Sequence, residues 1–257
     1  MVGIKCVGQF GTTVIVVTAL AAGPAPAQTD DANKILKEMS DYLGSQKNIS
    51  ASFDSDIEVI TPQVQKLQFA SSGHFEMSRP DKLHLSRTGG HSQVEIILDG
   101  KTATVYGKHV NGYIQGDASG SVDQIVERLR VALPGADLLS SNLYDVLIPD
   151  VISAAHIGRG VIDGVECEHL AFRSKGTDWQ IWIQLGDRPL PRKYVVTNRA
   201  MAAAPQYTLV LKDWKTDVRP SADAFVFTPP PGTQQLDIKA LSGFDDVPPE
   251  ALNGGQK

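Results

Sequence analysis

Residues 65–90 read QKLQFASSGHFEMSRPDKLHLSRTGG. Leu67, Phe69, Ser71, Gly73, Phe75 and Met77 take every second position, and Lys66, Gln68, Ser72, His74, Glu76 and Ser78 fill the places between. A period of two belongs to a strand with one dry face and one wet face. Arg79-Pro80-Asp81 interrupts the pattern as a turn does, and the alternation resumes in Lys82-Leu83-His84-Leu85-Ser86-Arg87. Two such strands set the expectation for the rest: an antiparallel sheet, with a few helices over its apolar side.

Working outward supports this. Upstream, Ile35, Leu36, Met39, Tyr42 and Leu43 recur at helical spacing, with Asp30-Asp31 as a cap and Gly44 as a stop. Ile49, Ala51, Phe53, Ile57 and Val59 then alternate with Ser50, Ser52, Asp54, Asp56 and Glu58. Downstream, residues 94–98, 101–106 and 109–115 read as short strands, the first two joined by the hairpin signal Asp99-Gly100. Val122, Ile125, Val126 and Leu129 fit a helix capped by Ser121 and ended by Pro134-Gly135. A second helix follows from Asp137, with Leu138, Leu139, Leu143, Val146 and Leu147, and stops near Pro149. Two short helices between two sets of strands fit either a cover over an open sheet face or a plain packing layer. Strands return from Val151, with Asp163-Gly164 as a further hairpin, and Trp179 and Trp182 lie on opposite faces of residues 178–185. Tyr207, Leu209 and Leu211 alternate in another strand, and residues 223–227 form a short strand or one helical turn. The fold class expected is α+β. It is a curved antiparallel sheet, an incomplete β-barrel of about ten strands, with an N-terminal helix and two lid helices.

The ends and the charge set the compartment. Lys5, a largely apolar run over residues 7–22 and Ala25-Pro26-Ala27 make residues 1–27 a secretory signal peptide, removed near Ala27. Residues 28–244 then form one domain, and the Gly-, Pro- and acid-rich residues 245–257 a disordered tail. Lys5 leaves with the leader, so the exported chain is more negative than the formal −5 of the whole. That balance, with no basic block, argues against nucleic acid as a partner. Cys167 is the one cysteine past the leader, so no internal disulfide can form, and in an apolar strand it reads as a small buried hydrophobe.

The chemistry-bearing patterns are sparse. There is no G-x-S-x-G, H-E-x-x-H, G-x-x-x-x-G-K or G-x-G-x-x-G. Asp54, Asp56 and Glu58 share a strand face and read as solvated acids. Cys167 and His169 lie two apart without the further ligands a zinc site needs. Neither a metal nor a cofactor is expected, nor is catalysis. Arg79 sits at the rim of the sheet. It reads either as a surface arginine or as a fork that bonds the backbone carbonyls of a covering helix.

Together, MSRPDKLHL, Asp99-Gly100-Lys101 leading to Tyr106, LPRKYVVT and FVFTPPPG resemble the periplasmic lipoprotein-carrier superfamily of LolA and LolB. More closely, RPDKLHLSRTGG, DGKTATVYGK, LPGADLLSSNLYDVL, GVECEHLAFR, DWQIWI and PLPRKY resemble a family of predicted periplasmic proteins carried as a domain of unknown function. The superfamily resemblance implies a half-barrel with a helical lid over a hydrophobic cavity, and Arg79 as the latch that holds the lid shut. It lacks a counterpart to the carrier's insertion hook and to the acceptor's lipid-attached cysteine. The expected function is a periplasmic, non-enzymatic carrier or binding protein for a lipid or acyl-chain ligand. The partner is that hydrophobic ligand or a lipidated protein. Phe53, Ile57, Leu67, Phe69, Phe75, Met77, Ile181 and Ile183 are expected to line the cavity. The alternative is a sensor or interaction module of envelope-stress type that binds proteins and contacts a membrane-bound partner.

Overall fold

The computed structural model describes residues 26–129, 135–221 and 223–252. Helix α1 (Pro26–Ser45) precedes six strands: β1 (Asn48–Ile60), β2 (Lys66–Ser78), β3 (Lys82–Gly89), β4 (Gln93–Asp99), β5 (Thr102–Gly107) and β6 (Gly112–Asp117). A helical segment follows, with α2 (Val122–Leu129), a 3-10 turn at Ala136–Leu139, α3 (Leu143–Leu147) and a 3-10 turn at Ile148–Asp150. The second set of strands is β7 (Val151–Ile162), β8 (Val165–Ser174), β9 (Thr177–Gln184), β10 (Pro191–Asn198) and β11 (Gln206–Lys215). The two-residue β12 (Gln234–Gln235), a 3-10 segment (Ile238–Phe244) and α4 (Pro249–Leu252) close the described chain.

The twelve strands form one open, curved sheet in the order β12-β6-β5-β4-β3-β2-β1-β11-β10-β9-β8-β7. Two meanders are joined edge to edge where β11 pairs antiparallel with β1, and β12 alone runs parallel to its neighbour, β6. About ten strands were expected. Residues 223–225 form a turn rather than a strand. The long central strands β1 and β2 pair without a slip from Asn48↔Ser78 to Ile60↔Lys66. The dry face read in residues 67–77 is therefore continuous across the middle of the sheet.

Three local expectations are corrected. Helix α1 starts at Pro26, so Asp30 and Asp31 lie inside it and do not cap it. Residues 1–25, with most of the expected leader, lie outside the described residues. The single helix expected from Asp137 is broken at Ser140, whose backbone is extended. The Ser140 and Asn142 side chains bond one another and the Asn142 amide there, a local alternative to the helical ladder. Of the tail expected over residues 245–257, residues 253–257 lie outside the described residues, and residues 245–252 do not leave the fold: Asp246 reaches Arg87, and the stretch ends in α4. An ion pair to the sheet offsets the composition that read as disorder.

The concave side is filled unevenly. Helix α1 lies against β7 and β8 and buries Ala32, Leu36, Met39 and Leu43, in one cluster with Leu170, Phe172, Trp179, Ile181 and Ile183. Spacings of four, three and four residues put those four side chains on one helix face. A second, smaller cluster joins Val94, Ile96 and Ile114 to Phe244.

Candidate functional site

The other half of the concave side keeps a hollow of about 120 Å³, partly open to solvent. Its floor is Phe53 and Ile57 of β1, Phe75 of β2, Leu83 and Leu85 of β3, Ile96 and Leu98 of β4, and Leu209 and Leu211 of β11. Register explains the set: Phe75 stands opposite Leu85, Leu85 opposite Ile96, and Phe53 opposite Leu211. The roof is Ile125 and Val126 of α2, with Ala136, Leu138 and Leu139 of the following 3-10 turn. Trp214 closes one side, its ring edge-on to Phe75 at 5.6 Å and its indole N–H donating to the Pro191 carbonyl at 2.9 Å.

The roof is tied down at one rim. Ser121 and Gln124 exchange the reciprocal bonds of a capping box at the start of α2, at 3.1 and 3.3 Å. The Val122 amide donates to the Pro80 carbonyl at 2.7 Å, next to the cis Arg79-Pro80 bond. Arg79 Nη2 donates to the Leu139 carbonyl at 3.0 Å, and Nη1 lies 3.5 Å from Asp123 Oδ1. Asp123 also accepts from the Ser141 amide at 2.7 Å and from its hydroxyl at 2.6 Å. One guanidinium thus holds both α2 and the 3-10 turn to the sheet. Its side chain is 11% exposed. Burial pulls its proton affinity below the ordinary arginine value, and Asp123 works against that shift.

Each lining residue expected from the sequence has a definite place. Phe53, Ile57 and Phe75 line the hollow. Met77, Ile181 and Ile183 do not. They are fully buried in the core outside the hollow's lining. Leu67 and Phe69 are half-buried on the same face of β2 but lie beyond the hollow, toward the far end of the strand. The error has one cause. Alternation marks which face is dry but carries no information on which part of that face a helix occupies.

The end of the hollow away from Arg79 is polar, and the sequence reading passed over it. Ser55, Ser71, Arg87, Tyr207 and Asp246 meet there. Ser55 and Ser71 are buried partners across β1 and β2, with hydroxyls 2.8 Å apart. Burial raises the Tyr207 phenol to about 12; the Ser55 hydrogen bond and Arg87 oppose the rise, and Asp246 adds to it. The signal was present: Ser55, Ser71 and Arg87 are polar residues at positions where the alternation calls for apolar ones. The clusters weighed as metal ligands are otherwise engaged. Asp54 pairs with Lys212, Glu58 with Lys66, and the His169 ring stacks on Trp182 at 4.1 Å.

Comparison with curated proteins finds no match. Among solved structures, the chain is similar to LprF from Mycobacterium bovis, at 13% identity over 78% of this chain and 99% of that one, with a TM-score of 0.48. It is similar to a LolA superfamily protein from Nitrosomonas europaea, at 12% identity over 76% and 97%, TM-score 0.36. It is also similar to a chain of the MucA/MucB complex of Pseudomonas aeruginosa, at 11% identity over 77% and 61%, TM-score 0.39. The family model of predicted periplasmic proteins, DUF2092, matches residues 32–239, and the chain belongs to that family.

Proposed function

We propose that this periplasmic chain is a binding or carrier protein, without catalysis of its own, that holds a lipid or acyl-chain ligand in the roofed hollow. The observation that carries the reading is an apolar hollow left on the concave face beside a half that α1 has filled. Affinity would come from alkyl burial, at about 0.8 kcal/mol per methylene. A micromolar Kd then takes roughly ten methylenes. The hollow, at about 120 Å³, is near the size of a cavity of roughly 150 Å³ known to take one benzene. It therefore holds a short segment, and a whole chain requires the roof to lift. Arg79, which bonds the roof at two points, is the latch in this reading.

Native mass spectrometry of protein isolated gently from the periplasm tests it, with added mass in the range of a lipid as the expected result. Delipidated protein that takes up no fluorescent fatty-acid analogue would sink it. A second reading, a module that binds proteins, is favoured by the end of the sheet, where among the described residues no further strand pairs with β7. Strand β7 ends the sheet and exposes Ile152, Ile157 and Val161, and such an edge can accept an added strand. A periplasmic pull-down that brings down a protein and no lipid would select it.

A further inference from the structure

The polar end of the hollow is built around one arginine. Arg87 stands on the inner face of β3 opposite Gly73, one step from the Ser55–Ser71 pair. From Met77, near the latch, to Ser71 the strand runs six residues, about 20 Å. Into this corner the chain returns a carboxylate. Asp246 Oδ2 lies 2.9 Å from Arg87 Nε and 3.3 Å from Ser71 Oγ, and Oδ1 accepts from Ser92 Oγ at 2.8 Å. The two charged side chains are 17% and 15% exposed.

The contact is close but poorly made. The Arg87 Nε–H is buried, and among the described residues it has no acceptor in line. Burying an ion pair carries a desolvation cost that apolar side chains would avoid, so packing alone does not account for an arginine and two serines here. An apolar hollow ending in an arginine and hydroxyls has the layout of an amphiphile, with room for a chain along the floor and an anion at the end. The segment that brings Asp246 is anchored separately. Phe244 is buried against Val94, Ile96 and Ile114; its carbonyl accepts from Arg87 Nη2 at 3.0 Å, and the Gly243 carbonyl lies 2.8 Å from His109 Nε2. Asp246 can therefore swing out while Phe244 stays in place.

We propose that Arg87, Ser71 and Ser92 form the receptor for the anionic headgroup, carboxylate or phosphate, of the bound amphiphile, and that Asp246 occupies this receptor when no ligand is bound. The proposal rests on the carrier reading above and adds the ligand's charge and the group it must displace. An anion that brings an oxygen into line with the Arg87 Nε–H gains a charge-assisted hydrogen bond that Asp246 does not make.

Dodecanoate, dodecyl phosphate and dodecanol, titrated into delipidated protein below their aggregation limits, separate the possibilities. The anions should bind at least about tenfold more tightly than the alcohol. Asp246→Asn should widen the preference for the anions over dodecanol by about tenfold, and Arg87→Gln should abolish the preference. Preference for one anion over the other identifies the headgroup as phosphate or carboxylate. A hydrogen-exchange measurement on the unsubstituted protein guards against misfolded variants. Residues 245–252 should lose protection with dodecyl phosphate and not with dodecanol. Equal binding of alcohol and anions, or no loss of protection in that segment, overturns the proposal and leaves the carrier reading standing. If none of the three probes binds, both fall.

Discussion

Gly44 and Gly73 show what single residues contribute. Gly44 reads from sequence as a helix stop, yet α1 continues through it to Ser45. A Cβ at Gly44 would overlap the Ser141 carbonyl oxygen, so glycine is there to let α1 meet the segment that Asp123 holds. Gly44→Ala is expected to cost about 1–3 kcal/mol in urea unfolding, and to loosen amide protection over residues 139–142. At Gly73 a Cβ would meet both the Ser86 carbonyl oxygen and the Phe53 ring, which leans over the gap into the hollow. Arg79→Met removes the bond to Leu139 and the charge opposite Asp123. A loss of about 1–3 kcal/mol is expected, with faster exchange in the 3-10 turn 136–139 as the signature of a released roof. Tyr207 gives a pH dependence. Its folded pKa, about 12, lies above the ordinary 10, so the folded state holds the proton more firmly. The stabilisation is fully present below pH ~10 and lost as pH rises toward 12, by about 2–3 kcal/mol. Tyr207→Phe should flatten that part of the alkaline stability profile, measured as the difference from the unsubstituted protein.

Among the elements, α2 was legible down to its cap. The apolar spacing and Ser121 are local signals, and the capping box forms as such signals specify, while the break expected at Pro134 lies outside the described residues. Ser121→Ala is expected to cost about 1 kcal/mol of helix stability. Because α2 roofs the hollow, that change should also speed release of a bound fatty-acid analogue in stopped-flow chase experiments. Helix α1 was legible in its buried face but not in its start. Pro26 is a residue tolerated in a first turn, and the two aspartates that looked like a cap lie inside the helix and face solvent. The strands were the clearest elements. Trp179 and Trp182 do lie on opposite faces of β9, one stacked on Phe172 at 3.9 Å in the core, the other on His169.

At the scale of the whole molecule, one sheet carries two different interiors. The half under α1 is packed with side chains that interlock, and the half under α2 is hollow at one end and charged at the other. A ligand that binds only the folded state should raise the unfolding midpoint, with about 2.7 kcal/mol of added stability at a hundredfold excess over Kd. Thermal unfolding with and without dodecyl phosphate measures this, and no shift at saturation would contradict the carrier reading.

By itself the sequence determined the strands, their dry and wet faces, the cap of α2 and the place of Arg79 at a rim. These follow from periods and turn residues that act over a few positions, which a single strand or helix expresses on its own. Only the tertiary structure decided that α1 packs on the β7–β8 side, and that Ile181 and Ile183 serve packing while Phe53 and Phe75 face a hollow. It alone also brings Asp246 back to Arg87 across 159 positions. Those outcomes depend on which distant segments compete to cover one continuous apolar face, and an alternating pattern is the same whichever of them wins.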